Sequence, residues 1–149
     1  MSPRTTLSLA LTLALAACAT STPLPEAGAP ALAGSWTLQE ASGLAPIPDT
    51  IRLVLRDSPP REGKTGLEVS GYAGVNHYRG TARLNTAERQ LFMGPLAATR
   101  MAGPASLMQF EGAFLQQLEK VANYQWQDAD TLQLRTVPGD TLTFVRSRH

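Results

Sequence analysis

From Gly34 onward, apolar and polar residues alternate with a period of two along most of the chain. Ser35-Trp36-Thr37-Leu38 opens the pattern with Trp36 and Leu38 on one face. Residues 51–56 repeat it, with Ile51, Leu53 and Leu55 inward and Arg52 and Arg56 outward. This alternation predicts half-buried β-strands. Residues 58–64, Ser-Pro-Pro-Arg-Glu-Gly-Lys, read as a polar loop. A third strand follows over Leu67, Val69 and Gly71, a fourth over residues 80–84, a turn over 85–88 and a fifth strand over 90–96. The period then changes. Leu107, Phe110, Phe114, Leu118 and Val121 recur at three- and four-residue spacing, the stripe of one amphipathic helix. Gly103-Pro104 stands at its start, where proline is tolerated. Strands return at Tyr124 and Trp126, at Leu132 and Leu134, and at Leu142 and Phe144, separated by turns at residues 128–130 and 138–140. The predicted fold is α+β: a mostly antiparallel sheet, with partial closure into a barrel open to it, and one packed helix.

The N-terminus follows different rules. Residues 7–17, LSLALTLALAA, carry no charge and follow Arg4, which is the layout of a secretory signal. The run is too short to span a bilayer, which takes about 20 apolar residues. It ends in Leu15-Ala16-Ala17-Cys18, which resembles the lipobox of bacterial lipoproteins. That resemblance implies a diacylglycerol on the sulfur of Cys18, cleavage before it, and acylation of the freed amino group in many bacteria. Two or three acyl chains make a stable anchor where one is marginal. Cys18 is the single cysteine of the chain, so no internal disulfide is open to it. Ala19 follows, not the Asp that retains enteric lipoproteins at the inner membrane, so the expected site is the periplasmic face of the outer membrane. Residues 19–33 hold three prolines and one charge and read as a linker. Extended at about 3.1 Å per residue, it would reach roughly 45 Å. The predicted organisation is a signal peptide over 1–17, a lipidated cysteine and linker over 18–33, and a domain over 34–149.

Charge narrows the function classes. The 149 residues carry 13 basic and 12 acidic side chains, and loss of Arg4 with the signal brings the two into balance. No basic patch stands out, which argues against nucleic acid as a partner. The two histidines are His77 and His149, and no His/Cys/carboxylate cluster has metal-ligand spacing. No nucleophile elbow or phosphate loop appears. Asp128 and Asp130 flank one alanine and read as turn residues, and His77 lacks a partner for general-base work. The expectation is a protein that is not an enzyme, with no cofactor and no metal.

Two segments resemble the META domain family, which includes HslJ-like heat-shock proteins. Residues 71–80, Gly-Tyr-Ala-Gly-Val-Asn-His-Tyr-Arg-Gly, are similar to its glycine-cysteine-asparagine segment. Residues 94–104, Gly-Pro-Leu-Ala-Ala-Thr-Arg-Met-Ala-Gly-Pro, are similar to its threonine-arginine-methionine run, which ends in a second cysteine. Gly34-x-Trp36, Glu111, Phe114-Leu115, Leu118, Val121, Tyr124, Leu132-x-Leu134 and Leu142-x-Phe144 follow the same order, so the resemblance spans about residues 34–146. It implies a small β-rich domain linked to stress tolerance, and in some members to secretion or virulence. At the two cysteine positions this chain has Val75 and Gly103.

Asn76, His77, Tyr78, Arg79, Thr99 and Arg100 are the candidate residues, as a recognition surface or as a turn braced by side chains. The functional expectation is an envelope lipoprotein that binds a protein partner, with a stress-related scaffold role. The alternative is a carrier of an acyl chain or amphipathic peptide in a pocket lined by Trp36, Trp126, Phe110 and Phe114. Mass spectrometry of the mature N-terminus should find Cys18 first and lipid-modified; an unmodified Cys18, or cleavage elsewhere, contradicts the lipobox reading.

Overall fold

In a computed structural model, residues 30–61 and 64–148 are described, and the alternation of apolar residues becomes nine strands among them. These are β1 (Gly34–Ala41), β2 (Arg52–Arg61), β3 (Lys64–Tyr72), β4 (His77–Asn85), β5 (Gln90–Met93), β6 (Ala97–Ala98), β7 (Val121–Trp126), β8 (Thr131–Thr136) and β9 (Thr141–Arg146). The helix α1 (Ala105–Glu119) lies between β6 and β7. Every strand pairing is antiparallel, in the order β3-β2-β1-β9-β8-β7-β5-β4, and β4 returns to β3. Eight strands thus close into a barrel, and closure leaves few unpaired edges. β6 continues the neighbourhood of β4 where β5 has ended: β5 pairs with β4 from Ala82 to Asn85, β6 with Tyr78 and Arg79. The thinnest seam joins β5 to β7 through the pair Gln90↔Asn123 and a 3.0 Å bond from Tyr124 N to Arg89 O.

The inward residues form one core that includes Trp36, Leu38, Leu53, Leu55, Val69, Leu132, Leu134, Leu142 and Phe144. Each such side chain contributes roughly 1.5–3 kcal/mol on burial. The helix does not lie on a sheet face. It crosses one end of the barrel and buries Phe110, Glu111, Phe114 and Leu118 there. Four connections at that end hold it. Gln117 Nε2 donates to Ser42 O after β1 (2.7 Å), and Glu111 accepts from Val75 and Asn76 between β3 and β4. Leu96 N, after β5, donates to Glu119 Oε1 (2.9 Å), and Val137 N, after β8, donates to Lys120 O (3.0 Å).

At the opposite end the chain runs into β1 under a clamp. Arg146 lies 4.2 Å over the Trp36 ring and donates to Ala31 O (2.9 Å) and Ala33 O (3.4 Å). Trp36 Nε1 donates to Leu32 O (3.1 Å), and Leu32 is buried. Packed structure therefore begins ahead of Gly34, where the composition of residues 19–33 had read as linker throughout.

The elements depart from the sequence expectation in four places. Residues 58–61 and Lys64 are strand, not loop, with an irregular register between Ser58 and Arg61. β1 pairs with β2 only as far as Leu55, and Pro59 and Pro60 fall in the irregular stretch where β2 has no residue-by-residue partner on β3, so the prolines cost no ladder bond. The fourth strand starts three residues early, at His77, because β3 offers a full-length partner. The fifth ends at Met93, with Gly94 N bonded to Thr81 O (2.7 Å) before the chain resumes as β6. Val121 belongs to β7, not to the helix, but remains buried, which is why it fitted the stripe.

One close approach fixes the β3–β4 register. Gly71 faces Tyr78 across the strands, and a Cβ at Gly71 would lie 2.5 Å from the Tyr78 phenol and collide with Arg52 O. The ring occupies the space that glycine leaves, and Tyr78 Oη donates to Arg52 O (2.8 Å). Burial disfavours the phenolate and raises the pKa of Tyr78 above the ordinary tyrosine range. A raised value means that its contribution to stability is complete below about pH 10 and is lost as pH rises further. In an alkaline titration followed at 295 nm, the absorbance rise that Tyr78→Phe removes should coincide with loss of the far-ultraviolet dichroism. A rise removed by that substitution while the barrel is still folded contradicts the assignment. Tyr78→Phe should also cost about 1 kcal/mol of unfolding free energy.

Candidate functional site

Residues 73–76 connect β3 to β4 and are buried beneath the helix. Buried backbone must find hydrogen-bond partners. Ala73 N donates to Asn76 O (2.9 Å), and Tyr72 Oη donates to Gly74 O (2.8 Å). Gly74 takes a φ of +119°, which glycine accepts without strain. Three further donors meet the helix. Glu111 Oε2 accepts from Val75 N (3.1 Å) and Asn76 N (2.7 Å), and Glu111 Oε1 accepts from Asn76 Nδ2 (2.7 Å).

Asn76 passes the connection on to the second segment. Its Oδ1 accepts from Met101 N (2.7 Å) and from the Thr99 hydroxyl (2.8 Å), while Nδ2 also donates to Met101 O (3.2 Å). The carboxamide thus acts towards Met101 as a neighbouring strand would. Thr99 Oγ1 accepts from His77 N (3.2 Å), and Thr99 N donates to His77 O (2.9 Å). Val75, Asn76, His77, Thr99, Met101 and Glu111 form a single network.

The structure divides the six sequence-predicted residues. Asn76 and Tyr78 are buried, and their side chains are engaged within the fold. His77, Arg79, Thr99 and Arg100 are exposed. A groove of about 410 Å³ is lined by His77, Tyr78, Arg79, Ala97, Ala98 and Thr99, and the His77 ring meets Tyr72 at 5.0 Å, tilted by 56°. Arg100 lies outside that lining. Glu111 is the site residue that sequence reasoning did not place among its candidates. Its signal was position: it stands four residues after Leu107 and three before Phe114, a carboxylate on the apolar stripe.

The other candidates sit apart. Trp36, Phe110 and Phe114 belong to the core, with Phe114 6.1 Å from both Tyr78 and Phe110, while Trp126 is half-buried 5.6 Å from Trp36. Asp128 and Asp130 lie in the turn from β7 to β8. Asp128 Oδ1 accepts from Asp130 N (2.8 Å), and bonds from Asp130 and Thr131 hold its carboxyl below the usual range. Asp130 pairs with Arg148 (2.7 Å) and Arg146 (3.7 Å). Among the described residues no three His, Cys, Asp or Glu side chains are placed to share a metal ion, and no helix is long and apolar enough to cross a membrane. Cys18 and His149 lie outside the described residues.

The META domain profile matches residues 30–149. The chain belongs to the META domain family. A solved structure similar to this META domain is the NMR structure of a protein from Burkholderia xenovorans, 31% identical, with a TM-score of 0.57; the match covers 78% of this chain and 83% of that one. No curated protein matches the chain.

Within this META domain, positions 75 and 103 face each other. A Cβ at Gly103 would lie 3.4 Å from Val75 Cβ and 2.7 and 2.8 Å from its two methyl carbons. Disulfide-linked residues hold their Cβ atoms about 3.5–4.5 Å apart. The two positions where the resemblance implies cysteines are therefore neighbours, and here valine fills the space over a glycine. Gly103→Ala should destabilise by about 1–3 kcal/mol through overpacking, and Val75→Ala in the same chain should recover much of it. Asn76→Ala strands Met101 and one Glu111 oxygen and should cost about 3 kcal/mol or more. Urea unfolding checks both; a change within 0.5 kcal/mol for either single variant contradicts the packing or the network.

Proposed function

We propose that this META-domain chain is a lipid-anchored module of the bacterial cell envelope, non-catalytic, which presents its barrel to a protein partner and serves as a stress-related scaffold. The observation that carries the reading is the Leu15-Ala16-Ala17-Cys18 segment followed by a proline-rich spacer and then this domain. Cys18 takes the lipid, and the spacer lets the barrel stand clear of the headgroups, on the periplasmic face of the outer membrane. Geometry supports the arrangement. The chain runs into β1 at the clamp of Arg146, whereas α1 and the groove of His77, Arg79 and Thr99 lie at the other end. A tether at the clamp leaves the groove end free to face away from the membrane.

Cross-linking in intact cells, followed by membrane fractionation, tests this reading. The protein is expected in the outer-membrane fraction with a discrete protein adduct, and Cys18→Ser should release it from that fraction. Recovery of wild-type protein as a soluble species, or a membrane-bound protein that yields no adduct, contradicts it.

A further inference from the structure

We infer that the groove beside β6 takes an extended peptide segment bearing carboxylate side chains, bound through the outer edge of Ala98 and the guanidinium of Arg79. The inference rests on the protein-binding reading above and names the class of segment bound.

The backbone argument comes from the ladder. Antiparallel pairs alternate between those that exchange N–H···O bonds and those that do not. Thr99 N donates to His77 O, which sets Thr99 opposite His77 as a bonded pair. In the register Tyr78↔Ala98 and Arg79↔Ala97, the next bonded pair is then Arg79 with Ala97. The N–H and C=O of Ala98 therefore point away from β4. Among the described residues β6 has no strand on its far side, because β5 has ended at Met93, and Ala98 is exposed. One donor and one acceptor stand ready for a chain laid along the groove, as in strand addition at a sheet edge. The edge is too short to recruit a partner by backbone bonds alone, so the side chains must supply the rest.

Those side chains have one sign. Arg79 lines the groove and Arg100 follows Thr99 at its margin, and both are exposed. Arg146 and Arg148 pair with Asp130, whereas Arg79 and Arg100 make no ion pair among the described residues. Two carboxylates reach this corner and both are engaged by backbone: buried Glu111 by the donors of Val75 and Asn76, and Glu119 by Leu96 N, one residue before Ala97. An arginine fork that makes no internal ion pair suits a carboxylate from outside. His77, in tilted ring contact with Tyr72, and the methyl groups of Ala97 and Ala98 offer apolar surface between the charges. The complement is an extended segment that alternates acidic and apolar residues.

Fluorescence anisotropy can test this with full-length protein in detergent and a labelled, N-acetylated octapeptide of alternating Glu and Val. The same peptide with Gln in place of Glu is the comparison. The Glu peptide should bind at least tenfold more tightly than the Gln peptide. Arg79→Gln should abolish that preference, and Ala98→Pro, which deletes the outward N–H, should weaken binding at least tenfold. Arg135→Gln, on β8, should change neither. Circular dichroism of each variant guards against misfolding, and Arg79→Gln carries the test if Ala98→Pro fails to fold. Absence of binding, equal affinity for the two peptides, or indifference to Arg79→Gln overturns the inference. A photo-cross-linker in cells separates this from the broader reading. Adducts from position 98 support the groove; adducts from Val137 or Met108 but not from 98 leave a protein-binding module standing and overturn its assignment to this groove.

Discussion

The carboxylate of Glu111 holds the helix-capped end of the barrel together. Taking a carboxylate out of water costs several kcal/mol, and no cation accompanies it here. Three N–H donors from Val75 and Asn76 do, at 2.7–3.1 Å. Hydrogen bonds to a charged group contribute about 1.5–3 kcal/mol each, so three offset the desolvation. The same bonds satisfy backbone that the helix would otherwise bury unpaired. Asn76, fixed by Glu111, is then oriented to receive Met101 and Thr99, and the segment that includes β6 is held against β4. The position of the groove thus depends on a helix residue that does not line it.

Glycine positions carry the rest of that end. Tyr78 sits over Gly71 and Val75 over Gly103, each large side chain using the volume that its partner lacks. The second pair explains how the chain dispenses with the two cysteines that its family resemblance implies. The valine–glycine contact packs the two positions together, between the same two segments that Asn76 joins by hydrogen bonds.

Much of this was legible in the sequence because the governing forces are local. The alternation of Ile51, Leu53 and Leu55, and the stripe through Phe110, Phe114 and Leu118, follow from burial on one face, and they located strands and helix. Barrel closure was only one of the arrangements left open, because the return of β4 to β3 and the single pair between β5 and β7 are long-range choices that no short pattern records. Residues 58–64 read as a polar loop because they lack an apolar alternation, whereas the strand there is an overhang paired irregularly with β3 alone. In the site, Asn76 and Thr99 were visible as polar residues among glycines and alanines. Their common dependence on Glu111 was not, since it runs through Asn76, 35 positions from Glu111 in the chain. The inward placement of Tyr78 against the outward placement of His77 and Arg79 follows from strand alternation once β4 is known to start at His77.

The central claim is that Glu111 positions the second segment through Asn76 while the far side of the barrel stands independently. Amide hydrogen exchange of Glu111→Gln, which keeps the volume but sets an NH₂ group against N–H donors, tests it most directly. Protection should fall together at Val75, Asn76, Thr99 and Met101, with β1, β8 and β9 retaining theirs. Protection lost uniformly around the barrel, or at Val75 and Asn76 without Thr99 and Met101, would contradict the account.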